Sequence, residues 1–207
     1  MFIERIRREY DPNVPIFTKN ILKIFPEYSR AYVFRLIKKA EEKGELVKFS
    51  EGVYFMPTET IIGPSTIIAD DVVEIKYIKN NDEVYGVYSG LQLLNMFSVT
   101  TQVPNVIEVV TNNETTRRRE IELDGRKFIL RKSRFEINKD NANTYLVLQL
   151  FNDTGKEEII NRHSKEIIVN FIKEQKISLD DLLSYAAYFP ARAIKNLIRN
   201  EILDKIK

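Results

Sequence analysis

The sequence has no cysteine and only one histidine, His163, among its 207 residues. The first absence removes disulfides and thiolate metal sites and fits a reducing cytoplasm. The second leaves no nitrogen and sulfur ligand set for a zinc site, and any histidine-dependent triad would have to run through His163. That residue sits near Arg162 and Lys165 in a helical stretch and reads as an ordinary exposed helix side chain. The seven glycines are scattered singly, so the sequence holds neither a phosphate-cradling loop nor a dinucleotide fingerprint. No cofactor is expected. The N-terminal MFIERIRREY is charged throughout and lacks an apolar h-region, so a secretory signal is not expected and a cytoplasmic location is.

A long apolar run is missing too. The 24 residues from Val84 to Ile107 carry no charge, but they include Gly86, Ser89, Gly90, Gln92, Asn95 and Ser98. Thr100, Thr101, Gln102, Pro104 and Asn105 follow. Placing so many polar groups in lipid is costly, so the stretch reads as the buried middle of a soluble domain, with no membrane partner.

Charge of one sign is also scarce. The formal net charge is +2, divided as +3 over residues 1–57 and −1 over the remainder. This mild asymmetry permits a nucleic-acid partner for the first segment without demanding one.

What is present begins with three helices and a hairpin. Phe2, Ile3, Ile6 and Tyr10 have helical spacing and stop at Asp11-Pro12. Thr18 is a candidate N-cap for a helix over Lys19–Phe25, and Ser29 for a longer one from Arg30 to Lys43, ended by Gly44. Val33, Leu36, Ile37 and Ala40 form one face of that third helix. A hairpin over Glu45–Phe55 follows at once, with Leu46, Phe49, Val53 and Phe55 as candidates to pin it to the helices. Helix, helix, helix and two-stranded wing is the order of a winged helix-turn-helix.

Such a helix enters the major groove by its N-terminal residues while flanking cations hold phosphates. Ser29, Arg30, Tyr32 and Arg35 are the base-facing candidates. Lys38, Lys39 and Lys43 suit phosphates, and Thr18 and Lys19 stand where helix N-terminal amides meet the DNA backbone. A solvated basic face, or a winged helix that binds protein rather than DNA, is the alternative.

Beyond Pro57–Pro64, read as a hinge, strands are expected over Val72–Ile78, Val84–Tyr88 and Val106–Thr111, and a short buried helix over Ser89–Phe97. Glu120–Leu123 and Lys127–Arg131 read as a hairpin about Asp124-Gly125. The final third reads as helices over Tyr145–Phe151, Glu157–Glu174, Ser178–Phe189 and Ala191–Ile206, with a capping box from Ser178 to Asp181. The expected fold is α+β. A winged helix-turn-helix over residues 1–57 precedes a mixed α/β domain over 58–207, which is helical from about residue 144.

Two clusters invite chemistry. Asp70, Asp71, Glu74 and Lys76, placed on a strand, resemble the carboxylate-plus-lysine set of metal-dependent nucleases, although alternating charge on a solvent face produces the same pattern. Arg117, Arg118 and Arg119 are candidates to meet a nucleic-acid backbone or an acidic partner, and a solvated loop accounts for them equally well.

Several stretches taken in order resemble the AbiEi-type antitoxins of bacterial abortive-infection, or type IV, toxin–antitoxin systems, and especially their short relatives with a helical C-terminus. They are Gly52-Val53-Tyr54-Phe55-Met56-Pro57, Tyr88-Ser89-Gly90-Leu91-Gln92-Leu93-Leu94, Thr100-Thr101-Gln102-Val103-Pro104 and Tyr188-Phe189-Pro190-Ala191-Arg192. The last leads into Ile194-Lys195-Asn196-Leu197. The resemblance implies a non-enzymatic antitoxin whose winged helix binds double-stranded promoter repeats to repress its own operon. It also implies that the rest of the chain neutralises a nucleotidyltransferase-like toxin. In two places the chain departs from these relatives. Glu51 replaces the basic residue common before the wing glycine, which moves the wing's phosphate contact to Lys48. Phe97-Ser98-Val99 stands where a glycine often precedes the Thr-Thr-Gln-Val-Pro stretch.

Overall fold

A computed structural model describes residues 2–155 and 159–206. The chain divides into two units, Met1–Ile75 and Lys76–Lys207, and each carries its own core.

In the first unit, apolar side chains spaced three and four apart turn helices toward a common centre. Helix α1 (Phe2–Glu9) supplies Ile3 and Ile6, α2 (Thr18–Ile24) supplies Ile21, and α3 (Arg30–Glu42) supplies Val33, Ile37 and Ala40. Ser29 caps α3 by accepting from the Tyr32 N–H at 3.3 Å. Strand β1 (Ile16–Phe17) pairs with β3 (Val53–Phe55), and β3 pairs with β2 (Val47–Ser50), all antiparallel, giving a three-stranded sheet in the order β1-β3-β2. Leu46, Tyr54 and Met56 join the helical core. Val53 and Phe55 are also buried, whereas Phe49 is only half-buried.

The segment after Pro57 is not an open hinge. Strands β4 (Glu59–Thr60) and β5 (Gly63–Pro64) form a hairpin. Asn13 ties its base by donating to the Thr58 hydroxyl at 3.1 Å and accepting from Ser65 Oγ, while Ser65 Oγ also accepts the Thr58 N–H at 2.8 Å.

Helix α4 (Ala69–Tyr77) stands where a strand was expected. Its buried residues, Ala69, Val72, Val73 and Tyr77, recur every three or four positions, and Asp70 and Asp71 occupy the first turn, where the helix dipole favours carboxylates. The adjacent valines suggested a strand, but two neighbours on one helical face can be buried together. Burial, followed by the nearby Glu74 and Asp70 charges, raises the Asp71 carboxyl above its ordinary value.

The second unit is built on a four-stranded sheet in the order β10-β11-β9-β8. Its strands are β8 (Gly86–Ser89), β9 (Val106–Thr111), β10 (Arg119–Leu123) and β11 (Arg126–Lys132). Asp124 and Gly125 both adopt positive φ, 48° and 72°, making the tight turn that joins β10 to β11. Strand β11 then inserts beside β9 in parallel register, Lys127 opposite Val106 through Lys132 opposite Thr111. The expected strand Val84–Tyr88 is broken at Tyr85. Glu83–Val84 (β7) pairs with Lys79–Asn80 (β6), and β8 starts afresh at Gly86.

Helix α5 (Gly90–Met96) leads away from β8. Helix α6 (Ala142–Asp153) has no charged residue before Asp153 and is buried along nearly its whole length, packed against β8, α5, α8 (Leu179–Ala186) and α9 (Ala191–Arg199). Helix α7 (Arg162–Glu174) begins with Asn161 as its cap. Its expected start at Glu157 lies outside the described residues. Serine 178 and Asp181 form the capping box of α8. The helix expected to run from Ala191 to Ile206 stops at Arg199, because Asn200 turns inward. Asn200 Oδ1 accepts the Ile160 N–H at 2.8 Å, Glu201 takes φ 58°, and only a 3-10 turn, Leu203–Lys205, follows. Among the described residues no helix is long and apolar enough to cross a membrane.

Candidate nucleic-acid interface

With about 100° of rotation per residue, the buried face of α3 leaves Ala31, Phe34, Arg35, Lys38, Lys39 and Glu42 on the opposite side, all exposed. Arg30, Tyr32 and Ser29 are exposed at its start. Four of the expected contact residues, Arg30, Arg35, Lys38 and Lys39, make no ion pair among the described residues. Their charge faces solvent uncompensated except by Glu42.

Aromatic rings support two of these cations. The Arg35 guanidinium lies 5.3 Å from the Tyr32 ring centre and that of Arg30 lies 5.6 Å from Phe34. Tyr32 meets Tyr28 edge-on at 5.0 Å, and Tyr28 stacks on buried Phe25 at 5.9 Å. The face therefore consists of guanidinium planes laid over tyrosine and phenylalanine, held by stacking instead of carboxylates.

The residues around α3 are placed less uniformly. Lys19 is exposed at the start of α2. Thr18, expected as a cap, is instead the first helical residue, and Phe17 holds the cap position without a side-chain bond. The Thr18 N–H is already donated to the Gly52 carbonyl at 2.9 Å, which fastens α2 to the β2–β3 turn. Lys48, expected as the phosphate contact of the hairpin, donates to Glu51 Oε2 at 2.7 Å. The hydrogen bond and charge of Glu51 raise the Lys48 ammonium above its ordinary pKa. A lysine so paired is a poorer phosphate ligand than those on α3.

The arginine run of the second unit is divided. Arg119 donates to buried Glu114 at 2.7 Å, Arg118 pairs with Glu120 at 2.6 Å, and Arg117 lines a cavity. The three do not converge on one surface point. His163 is exposed on α7. Asp70, Asp71 and Glu74 lie on one helix, and no group of three or more metal-ligating side chains is found among the described residues. The geometry of that helix removes the strand on which the nuclease comparison depended.

The chain matches the family model described as a family of unknown function (DUF6088) over residues 10–179, a span that takes in α2, α3 and the whole four-stranded sheet. No curated protein matches it.

Proposed function

We propose that this chain, which belongs to the DUF6088 family, is a DNA-binding antitoxin that represses its own operon and neutralises a nucleotidyltransferase-like toxin encoded alongside. In this reading residues 1–57 are a cytoplasmic winged helix, α3 is its recognition helix, and β2–β3 is its wing. The carrying observation is the exposed face of α3, where Arg30, Arg35, Lys38 and Lys39 have no ion-pair partner among the described residues. Bare cations on a helix that follows a second helix after a short turn suit the negative, regularly spaced phosphates of a duplex. The toxin partner rests on the ordered motifs from Gly52 to Leu197 that resemble AbiEi-type antitoxins.

Binding to the DNA upstream of its own coding sequence is expected to weaken linearly in log–log salt titrations. Arg35→Ala with Lys39→Ala is expected to reduce affinity at least tenfold and to lower the salt slope by roughly two, since each neutralised phosphate contributes about 0.9. Fluorescence anisotropy measures both, and unchanged binding would remove α3 from the interface. Glu51→Gln frees Lys48 and removes a repulsive charge, so it is expected to strengthen binding about threefold at low salt, an effect that vanishes as salt screens it.

A second reading has its own support. Tyr28, Tyr32 and Phe34 are exposed on α3 and the turn before it, and exposed aromatics are also used by protein-binding surfaces. A chain that ignores duplex DNA at low salt, yet loses its partner when Tyr32→Ala and Phe34→Ala are combined, would favour a protein-interaction module.

A further inference from the structure

The second unit holds a cavity of about 410 Å³ in which cations outnumber carboxylates. The sheet supplies Glu108, Arg131 and Lys132, the following loop Arg134, the loop before β10 Arg117, and α9 Arg192. Asp153, at the end of α6, forms part of the wall.

The charges are unevenly satisfied. Arg131 is consumed by Glu108, whose Oε2 accepts from its Nε at 2.9 Å and lies 2.9 Å from a terminal guanidinium nitrogen. Arg192 donates Nε to Asn152 Oδ1 at 3.2 Å, a neutral partner. Arg134 rests over the Phe189 ring at 5.2 Å. Among the described residues Arg117, Lys132 and Arg134 have no carboxylate partner. Three unpaired cations around one cavity repel each other, and an anion of charge −2 to −4 relieves that repulsion.

The two carboxylates narrow the choice of anion. Asp153 is internally satisfied: Oδ2 accepts the Gly90 N–H at 2.8 Å, and Oδ1 accepts from Gln149 at 2.8 Å and Asn152 at 3.1 Å. Glu108 Oε1, by contrast, has no hydrogen bond among the described residues. A fully ionised phosphate or pyrophosphate offers this acceptor nothing. A ligand carrying hydroxyl or amino donors beside its phosphates uses both halves of the lining. The cavity's volume of about 410 Å³ lies in the range of small-molecule sites.

We propose that this cavity binds a free nucleoside phosphate, its phosphates against Arg117, Lys132 and Arg134 and its hydroxyl or amino donors toward Glu108. Gly90 and the Phe189-Pro190-Ala191-Arg192 stretch, 99 positions apart at their nearest, meet at this site through Asp153, Asn152 and Arg134. The assignment is independent of DNA binding by the first unit.

Equilibrium dialysis of the full chain with ATP and AMP, beside pyrophosphate and a short single-stranded oligonucleotide, tests it. One nucleotide per chain is expected at concentrations up to about 1 mM, with pyrophosphate at least tenfold weaker. Arg117→Ala combined with Lys132→Ala changes exposed side chains and is expected to weaken nucleotide binding about tenfold with the unliganded melting temperature unchanged. Arg134→Gln, measured separately, is expected to do the same, while Arg35→Ala on α3 leaves nucleotide binding unaltered. The proposal is overturned if neither nucleotide binds at that concentration, or if both cavity variants bind as well as the parent. Pyrophosphate binding as tightly as ATP, or the oligonucleotide binding more tightly than either mononucleotide, overturns it as well.

Discussion

Gly86→Ala is expected to destabilise the second unit by about 3 kcal/mol or more, the upper end of what overpacking costs, because nothing around it can move aside. A Cβ built on Gly86 would lie 2.0 Å from the Tyr77 carbonyl oxygen and 2.8 Å from that of Val110. Both obstacles are backbone. A crowded side chain changes rotamer at a cost of about 1 kcal/mol, but these carbonyls belong to the end of α4 and to β9. The Gly86 and Tyr85 N–H groups both donate to the Ile78 carbonyl, at 3.0 and 2.8 Å, and the Tyr85 carbonyl accepts from Asn112 N–H at 2.8 Å and Thr111 Oγ1 at 3.1 Å. Separating the chains to admit a methyl group would stretch all of these. Chemical denaturation of the parent and variant measures the difference, and a loss below about 1 kcal/mol would show that the approach is looser than described.

Glu114→Ala is expected to cost about 2 kcal/mol, and its effect depends on pH. Glu114 is 3% exposed and is the acceptor around which the loop before β10 is wound. Its Oε1 receives the Thr115 N–H at 2.9 Å, the Thr116 N–H at 3.0 Å and the Thr116 hydroxyl at 2.9 Å, while Oε2 receives Arg119 at 2.7 Å. Removing one partner of a fully buried ion pair costs more, about 3–5 kcal/mol. Here Thr115, Thr116 and Arg119 are exposed, so water replaces part of what the carboxylate supplied.

Burial pushes the Glu114 carboxyl upward, but the Thr116 amide and hydroxyl and the Arg119 charge outweigh it and hold the group below its ordinary 4.5. A carboxyl whose pKa is lower in the folded chain than in the unfolded one binds protons more readily when unfolded. Its stabilisation is therefore present above pH 4.5 and is lost as pH falls through the lower folded value. Stability measured against pH should show the gap between the parent and Glu114→Gln closing on acidification below that point. A gap constant from neutral pH to well below 4.5 would rule out an ionised Glu114 as its source. Because the same loop carries Arg117 to the cavity, Glu114→Ala should also weaken nucleotide binding there, whereas Gly86→Ala acts first on the sheet.

Much of the secondary structure is readable locally. Ser29 and Gly44 bracket α3, and Ser178 with Asp181 announces α8. Asp124-Gly125 specifies a two-residue turn whose positive φ values few other dipeptides accept. Each signal acts within four residues, the range over which a side chain can reach its own backbone. The exposed face of α3 is readable for the same reason, since helical geometry alone places Arg35, Lys38 and Lys39 opposite Val33, Ile37 and Ala40.

What failed was decided by burial and hairpin geometry, which residue type alone does not give. Val72 and Val73 have strand propensity, and only the burial of Ala69 and Tyr77 beside them shows the helical period of α4. Lys48 was the expected phosphate contact of the β2–β3 hairpin, whose bulge brings Glu51 within 2.7 Å of it. Arg134 carries no signal in the sequence, and the Arg117–Arg119 run gives no hint that its members face different partners. The amino-acid sequence by itself determined where α3 and α8 begin and which face of α3 carries charge, because caps and helical faces depend on neighbours in the chain. Tertiary structure alone decided the parallel pairing of β9 with β11 and the gathering of Glu108, Arg117, Lys132, Arg134, Asp153 and Arg192 around one cavity. Those groups are drawn from residues 108 to 192, and only the sheet and buried α6 bring them together.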